Sequence, residues 1–152
     1  MQARMTQPAF LIPEAMKALI ALGKSAHVEG VPEGLHELLH LRVSQINGCG
    51  VCLEMHARAL VKSGETAERL ATVAGWRDTP YFTDAERAAL ALAEAVTRVA
   101  DKADPVSDEV WADAARHYDE KALAGLLLTI SAINVWNRLN AATRQVAGSL
   151  GV

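Results

Sequence analysis

The sequence predicts an all-α fold, on three observations. Alanine and leucine, both strong helix formers, are plentiful, whereas aromatics make up only 5% and strand formers are scattered. Apolar residues recur at three- and four-residue spacing through most of the chain. Capping and breaking residues stand at intervals that cut the chain into helix-length pieces. At 152 residues, with 51% hydrophobic and 22% charged residues, the chain has the size and composition of a single globular domain over residues 1–152.

Pro13 suits a first helical position, and Met16, Leu19 and Ile20 follow at helical spacing, so a first helix starts there and Gly30 closes that region. Pro32 opens a second helix with Leu35, Leu38, Leu39, Val43 and Ile46 on one stripe, and Asn47-Gly48 breaks it. A third starts near Gly48 or Cys49 and runs to Lys62 or Ser63, with Gly64 as its C-terminal cap. A fourth covers about Glu65 to Ala74. The stretch GWRDTPYF reads as a loop, whose Trp76, Tyr81 and Phe82 either pin it to the core or wall a pocket. Thr83 and Glu86 form a capping box, so a fifth helix begins at Asp84 and reaches about Ala100. Ser107 caps a sixth helix to about His117, whose imidazole suits a helix C-terminus. Asp119 caps a long seventh, roughly Glu120 to Val146, which Gly148 ends. The first half of that helix, LAGLLLTISAI, is apolar around nearly its whole circumference, as in a core or a subunit interface. Its second half sets Trp136 among Asn134, Asn137, Arg138 and Asn140. Either this polar side faces solvent or it meets another subunit.

The formal charge of −3 and the lack of any Lys/Arg cluster give no reason to expect nucleic acid as a partner. The longest apolar run, Ala122 to Ile133, falls short of membrane-spanning length, so no membrane association is expected. Pro13, Glu14 and Lys17 interrupt the N-terminal apolar stretch, which reads as mature protein rather than as a signal peptide. The expected location is cytoplasmic, where a close cysteine pair points to redox or metal chemistry rather than to a structural staple.

That pair lies in ELLHLRVSQINGCGVCLEMH, Glu37 to His56. On a helix, Cys49, Cys52 and His56, spaced three and four apart, point roughly the same way. Unpaired N–H groups at a helix start favour a thiolate. Peroxide reduction needs a thiolate to attack oxygen and a second thiol to condense with the sulfenic acid that results, and a Cys-x-x-Cys pair supplies both. A sharp turn at Asn47-Gly48 would fold the two helices into a hairpin, on which Glu37 could face His56 and hold its proton. His36 and His40, on the Glu37 helix, could compete for that role, or lie on a solvated or half-buried face. Helix-terminus electrostatics favour Cys49 as the reactive thiol, whereas His56, one turn away, favours Cys52. Two other readings stay open: a zinc site of Cys49, Cys52, His56 and either Glu37 or His40, and a pair of inert buried cysteines. His27 is expected at the surface near a helix end.

Glu37, eleven intervening residues, then Cys49-x-x-Cys52-x-x-x-His56 resembles the carboxymuconolactone decarboxylase superfamily, and within it the alkyl hydroperoxidase D (AhpD-like) branch. FTDAERAALALAEAVT and INVWNRLNAATR also look like recurring segments of single-domain members, so the likeness spans about Pro32 to Arg144. The resemblance implies an all-helical oligomer, usually a homotrimer or homohexamer. It implies a thiol-dependent peroxidase whose cysteines cycle between dithiol and disulfide. Carried over by position, Cys52 is the peroxidatic thiol, Cys49 the resolving one, His56 the proton acceptor and Glu37 the residue behind it in the relay. Some members carry a second histidine just before the second cysteine, where this chain has Val51. The expected partners are a peroxide or organic hydroperoxide and a dithiol reductant, in related enzymes a dihydrolipoyl protein. No dinucleotide- or phosphate-binding glycine motif occurs, so no organic cofactor is expected. Three other functions fit the residues less closely: a redox sensor or disulfide-exchange protein, a structural metal-binding oligomer, and a lactone or small-carboxylate enzyme that would not need the cysteines.

Overall fold

In the computed structural model, which describes residues 1–149, eight α-helices follow one another and no strand occurs among the described residues. They are α1 (Pro8–Leu11), α2 (Pro13–Ser25), α3 (Glu33–Asn47), α4 (Gly50–Lys62), α5 (Ala67–Thr72), α6 (Asp84–Thr97), α7 (Asp108–His117) and α8 (Glu120–Thr143). The all-α class is as expected, with one additional short helix, α1. Pro8 starts it, and the Gln7 side chain caps it by accepting the Ala9 N–H. Thr83 and Glu86 form both bonds of their capping box, and Ser107 and Asp119 each accept a backbone N–H at the starts of α7 and α8.

Three element ends differ from expectation. The first half of the expected GWRDTPYF loop winds into a 3₁₀ turn, Val73–Asp78. The α6 helix stops at Thr97, and Val99–Asp101 tightens into another 3₁₀ turn. The α8 helix ends at Thr143 because Arg144, not a glycine, adopts the left-handed conformation (φ 53°), and the Arg144 and Gln145 N–H groups close the last turn.

The α3 helix is the hub, packed against α4, α6 and α8, while α2 lies on α8 and α7 on α6. Leu38, Leu39 and Val43 of α3 meet Leu60 of α4, Leu90 and Leu92 of α6, and Leu126 and Ile130 of α8 in one buried cluster. By length and hydropathy α8 could cross a membrane, but 56% of its most apolar stretch is buried inside the fold, as in a core helix. It approaches the α2–α3 connection closely at Gly125. A Cβ there would lie 2.6 Å from Val28 Cγ2 and 2.8 Å from the Ala26 carbonyl oxygen.

The asparagines of the α8 polar stripe do not face solvent, whereas Arg138 is exposed. Asn134, Asn137 and Asn140 are all buried. A desolvated amide needs hydrogen-bond partners, and α3 and α6 supply them. Asn47 Nδ2 donates to Asn134 Oδ1 at 2.9 Å and to Asn137 Oδ1 at 3.0 Å; Asn137 Nδ2 donates to Ser44 Oγ at 3.1 Å; and Asn134 Nδ2 donates to Thr97 Oγ1 at 3.2 Å. Trp76 and Phe82 pin their segment to the core, with Trp76 Nε1 donating to the buried Glu94 that Arg42 and Arg77 also clasp, whereas Tyr81 is exposed.

Candidate active site

The site is built on the α3–α4 hairpin. Gly48 ends α3 in the left-handed region (φ 67°), a conformation that costs glycine nothing. The chain turns at once, and Cys49 becomes the N-cap of α4, with its sulfur accepting the Cys52 N–H at 3.4 Å. The two cysteines form a disulfide, with Cα atoms 5.4 Å apart. Both are buried.

The same turn brings Glu37 of α3 opposite His56 of α4, and His56 Nδ1 lies 2.8 Å from Glu37 Oε2. Burial alone would raise the Glu37 carboxyl, but the neighbouring imidazoles of His40 and His56 outweigh it and hold it well below the usual carboxylate range. An ionised carboxylate only accepts, so His56 Nδ1 carries a proton and donates it, and in the neutral ring this arrangement leaves the Nε2 lone pair free. His40 stands beside the pair, with its ring centroid 4.6 Å from that of His56. Its Nδ1 is 3.8 Å from Glu37 Oε1, too far for a hydrogen bond, and is buried without a hydrogen-bond partner. Burial lowers the His40 pKa and keeps the ring neutral near pH 7.

A cavity of about 430 Å³ opens beside these groups. Its polar end is formed by Cys52, His56, His40, Asn140 and Gln7, and its apolar walls by Phe10, Met16, Ile20, Met55, Ile133 and Trp136. Cys52 borders it and Cys49 does not. A smaller recess is bordered by Glu37 and His56 together with Met55, Arg58 and Ala59.

The carboxymuconolactone decarboxylase family model matches residues 13–95, more than half of the chain, across the whole hairpin. The chain belongs to the carboxymuconolactone decarboxylase family. It is 35% identical over 139 residues to the uncharacterised protein YdfG of Bacillus subtilis (strain 168), a match that spans 91% of this chain and 93% of that one. It is 46% identical to the alkyl hydroperoxide reductase AhpD of Methylocella silvestris over 43 residues, which are 28% of this chain and 24% of that protein. Among solved structures, a protein of unknown function from Agrobacterium tumefaciens, with a suggested role as an AhpD antioxidant defence protein, superposes with a TM-score of 0.88. The identity is 30%, over 96% of this chain and 98% of that one. The debrominase Bmp8 shares the fold at a TM-score of 0.75 and 21% identity, over 90% of this chain and 73% of that one.

Within this family member, the hairpin brings together all four residues singled out in the sequence, Glu37, Cys49, Cys52 and His56. Val51 is buried and supplies no second imidazole; His40, from the other helix, stands in the cluster instead. His36 is fully buried rather than on a solvated or half-buried face. Its Nδ1 sits 2.7 Å from Thr129 Oγ1, and its ring stacks on the exposed His27 at 4.1 Å. Among the described residues, two sets of donor atoms lie close enough to hold a metal ion: Glu37, His40 and His56, and His27, Glu33 and His36. Neither includes the cysteines, which are bonded to each other. Trp76 and Tyr81 stand away from the cavity, whose aromatic walls are Phe10 and Trp136. Sequence reasoning missed Gln7 and Asn140 at the polar end. The signal for Asn140 was there, as asparagines at three-residue spacing on an otherwise apolar helix.

Proposed function

We propose that the protein is a thiol-dependent peroxidase of the AhpD type. The observation that carries the reading is that Cys52 borders an apolar cavity together with His56, while its disulfide partner Cys49 stands behind it. In the reduced enzyme the Cys52 thiolate attacks the terminal oxygen of a hydroperoxide. The O–O bond breaks, sulfur keeps that oxygen as a sulfenic acid, and the departing alkoxide takes a proton to leave as alcohol. His56 handles that proton, first accepting one from the Cys52 thiol through Nε2 and then releasing it to the alkoxide, with Glu37 fixing its tautomer and stabilising the imidazolium. The Cys49 thiol next attacks the sulfenic sulfur, the disulfide forms and water leaves. An external dithiol restores the pair by exchange and is itself oxidised to a disulfide.

The reading extends to the setting. The reductant is a dithiol carried by a partner such as a dihydrolipoyl protein, the location is the cytoplasm, and the working form is a homotrimer or homohexamer. The apolar walls favour an organic hydroperoxide over hydrogen peroxide.

The test is peroxide consumption with dithiothreitol as reductant, comparing wild type with Cys52→Ser, on cumene hydroperoxide and hydrogen peroxide in parallel. The expected result is turnover that vanishes in the variant and is faster on the organic peroxide. No turnover by a wild-type protein whose cysteines still oxidise and reduce reversibly would sink the peroxidase reading and leave a disulfide-exchange protein.

A further inference from the structure

Electrostatics at a helix start favour Cys49 as the more acidic thiol, since its sulfur caps α4 and accepts the Cys52 N–H. The cavity, by contrast, offers substrate only to Cys52. Burial raises the pKa of a thiol, so a buried nucleophile needs a donor of its own. Among the described residues, one side chain supplies a donor to sulfur. Asn140 Nδ2 lies 3.3 Å from Cys52 Sγ and 3.8 Å from Cys49 Sγ.

The orientation of this amide follows from an unambiguous donor. The Ala9 backbone N–H can only donate, and it donates to Gln7 Oε1. Gln7 therefore turns its Nε2 outward, where it donates to Asn140 Oδ1 at 3.4 Å. With Oδ1 so engaged, Asn140 has only its N–H groups to turn toward the sulfurs. Both residues are buried, and both border the cavity.

We propose that Asn140 is a catalytic residue that donates a hydrogen bond to the Cys52 thiolate and so selects Cys52 over Cys49 as the nucleophile, with Gln7 as the positioning residue that aims it. The disulfide sulfurs are weak acceptors; a thiolate is a charged one, so the same N–H gains strength on reduction and ionisation of Cys52. The catalytic role rests on the peroxidase reading above. The thiolate contact does not, and it is measured without peroxide.

The experiment follows alkylation of the reduced protein by iodoacetamide against pH in single-thiol backgrounds, with circular dichroism confirming the helical fold. In a Cys49→Ser background, Asn140→Leu is expected to raise the Cys52 pKa by about one unit or more, since a hydrogen bond to a charged group contributes about 1.5–3 kcal/mol and one pKa unit is about 1.4. Gln7→Leu is expected to shift it in the same direction by less. In a Cys52→Ser background, Asn140→Leu is expected to move Cys49 less than it moves Cys52. An unchanged Cys52 pKa in the folded variants overturns the proposal, and so does an equal shift at both thiols. Should Asn140→Leu fail to fold, Gln7→Leu, which lies before the first helix, decides alone: an unmoved Cys52 pKa overturns the proposal, a raised one supports it. A shifted thiol pKa in a protein without peroxide turnover would defeat the peroxidase reading and leave this contact standing.

Discussion

Glu37 and His36 are neighbours in sequence with opposite electrostatic tasks. Glu37 stays ionised between two imidazoles, and His56 depends on it for its tautomer. Glu37→Gln keeps the shape, removes the charge and lets the amide present either end to the ring. Peroxide turnover with dithiothreitol is then expected to fall by about 10²-fold, the lower end of what a positioned acid–base group contributes, while helicity stays the same. His36, buried against Thr129, has its pKa pushed down to about 4, first by burial and then by the charges of His27 and His40. Thr129 Oγ1 donates to the Gly125 carbonyl, so it accepts from His36 Nδ1, and the ring is held neutral. As pH falls from 6.5 toward 4, the unfolded chain binds a proton here that the folded chain refuses. Stability is therefore full above pH 6.5 and is lost through that window, by roughly 2–3 kcal/mol at its end. His36→Asn keeps a donor for Thr129 without the titration, so it should flatten this loss. Urea midpoints from pH 7 to pH 4.5 give the comparison, and equal slopes for the two proteins would refute the assignment.

Between helices, two glycines predict opposite outcomes for one substitution. Gly125 of α8 faces Val28 and the Ala26 carbonyl at distances a methyl group cannot share, so Gly125→Ala should destabilise by about 1–3 kcal/mol despite alanine's better helix propensity. Gly34, in the first turn of α3, has open space around its Cβ position, and Gly34→Ala should gain up to about 0.5 kcal/mol. Thermal melts of the two variants should move in opposite directions. The same contrast explains what the sequence could tell. The hairpin was legible because its causes are local: Asn47-Gly48 breaks the chain, and helical spacing then places Glu37, Cys49, Cys52 and His56. Starts of helices were legible for the same reason, since Thr83, Ser107 and Asp119 cap residues that follow them directly. The end of α8 was missed because Arg144, with no glycine to announce it, takes the left-handed position. His36 and the α8 asparagines were misplaced because their partners lie far along the chain. Thr129 stands 93 residues from His36, and Asn47 stands 87 from Asn134. Polar residues read as surface until the remote group that satisfies them is known.

At the scale of the whole molecule, the cavity is not the property of the hairpin that carries the cysteines. Its walls come from α1, α2, α3, α4 and α8, so the cysteine pair is presented by one motif while the cavity beside it is walled by several further helices. The elements that enclose it also carry exposed apolar groups. Phe10, Leu11 and Ile12 at the α1–α2 junction and Ile20 on α2 are exposed, as are Leu128 and Val135 on α8, the helix α2 packs against. Leu128 and Val135 are seven residues apart and lie on one face two turns apart. An isolated chain would leave these groups in water, whereas a stable interface buries about 1,200–2,000 Å² in total with an apolar centre. The proposed oligomer would use the α8 face that carries Leu128 and Val135. Light scattering on the purified protein should give the mass of the proposed homotrimer or homohexamer. Val135→Glu, which places a charge on the α8 stripe without touching the sulfurs, should shift that mass toward one chain at micromolar concentration while helicity remains. A wild-type protein that scatters as a single chain at every concentration would remove the oligomer from the proposal. An oligomer unchanged by Val135→Glu would remove this face from the interface.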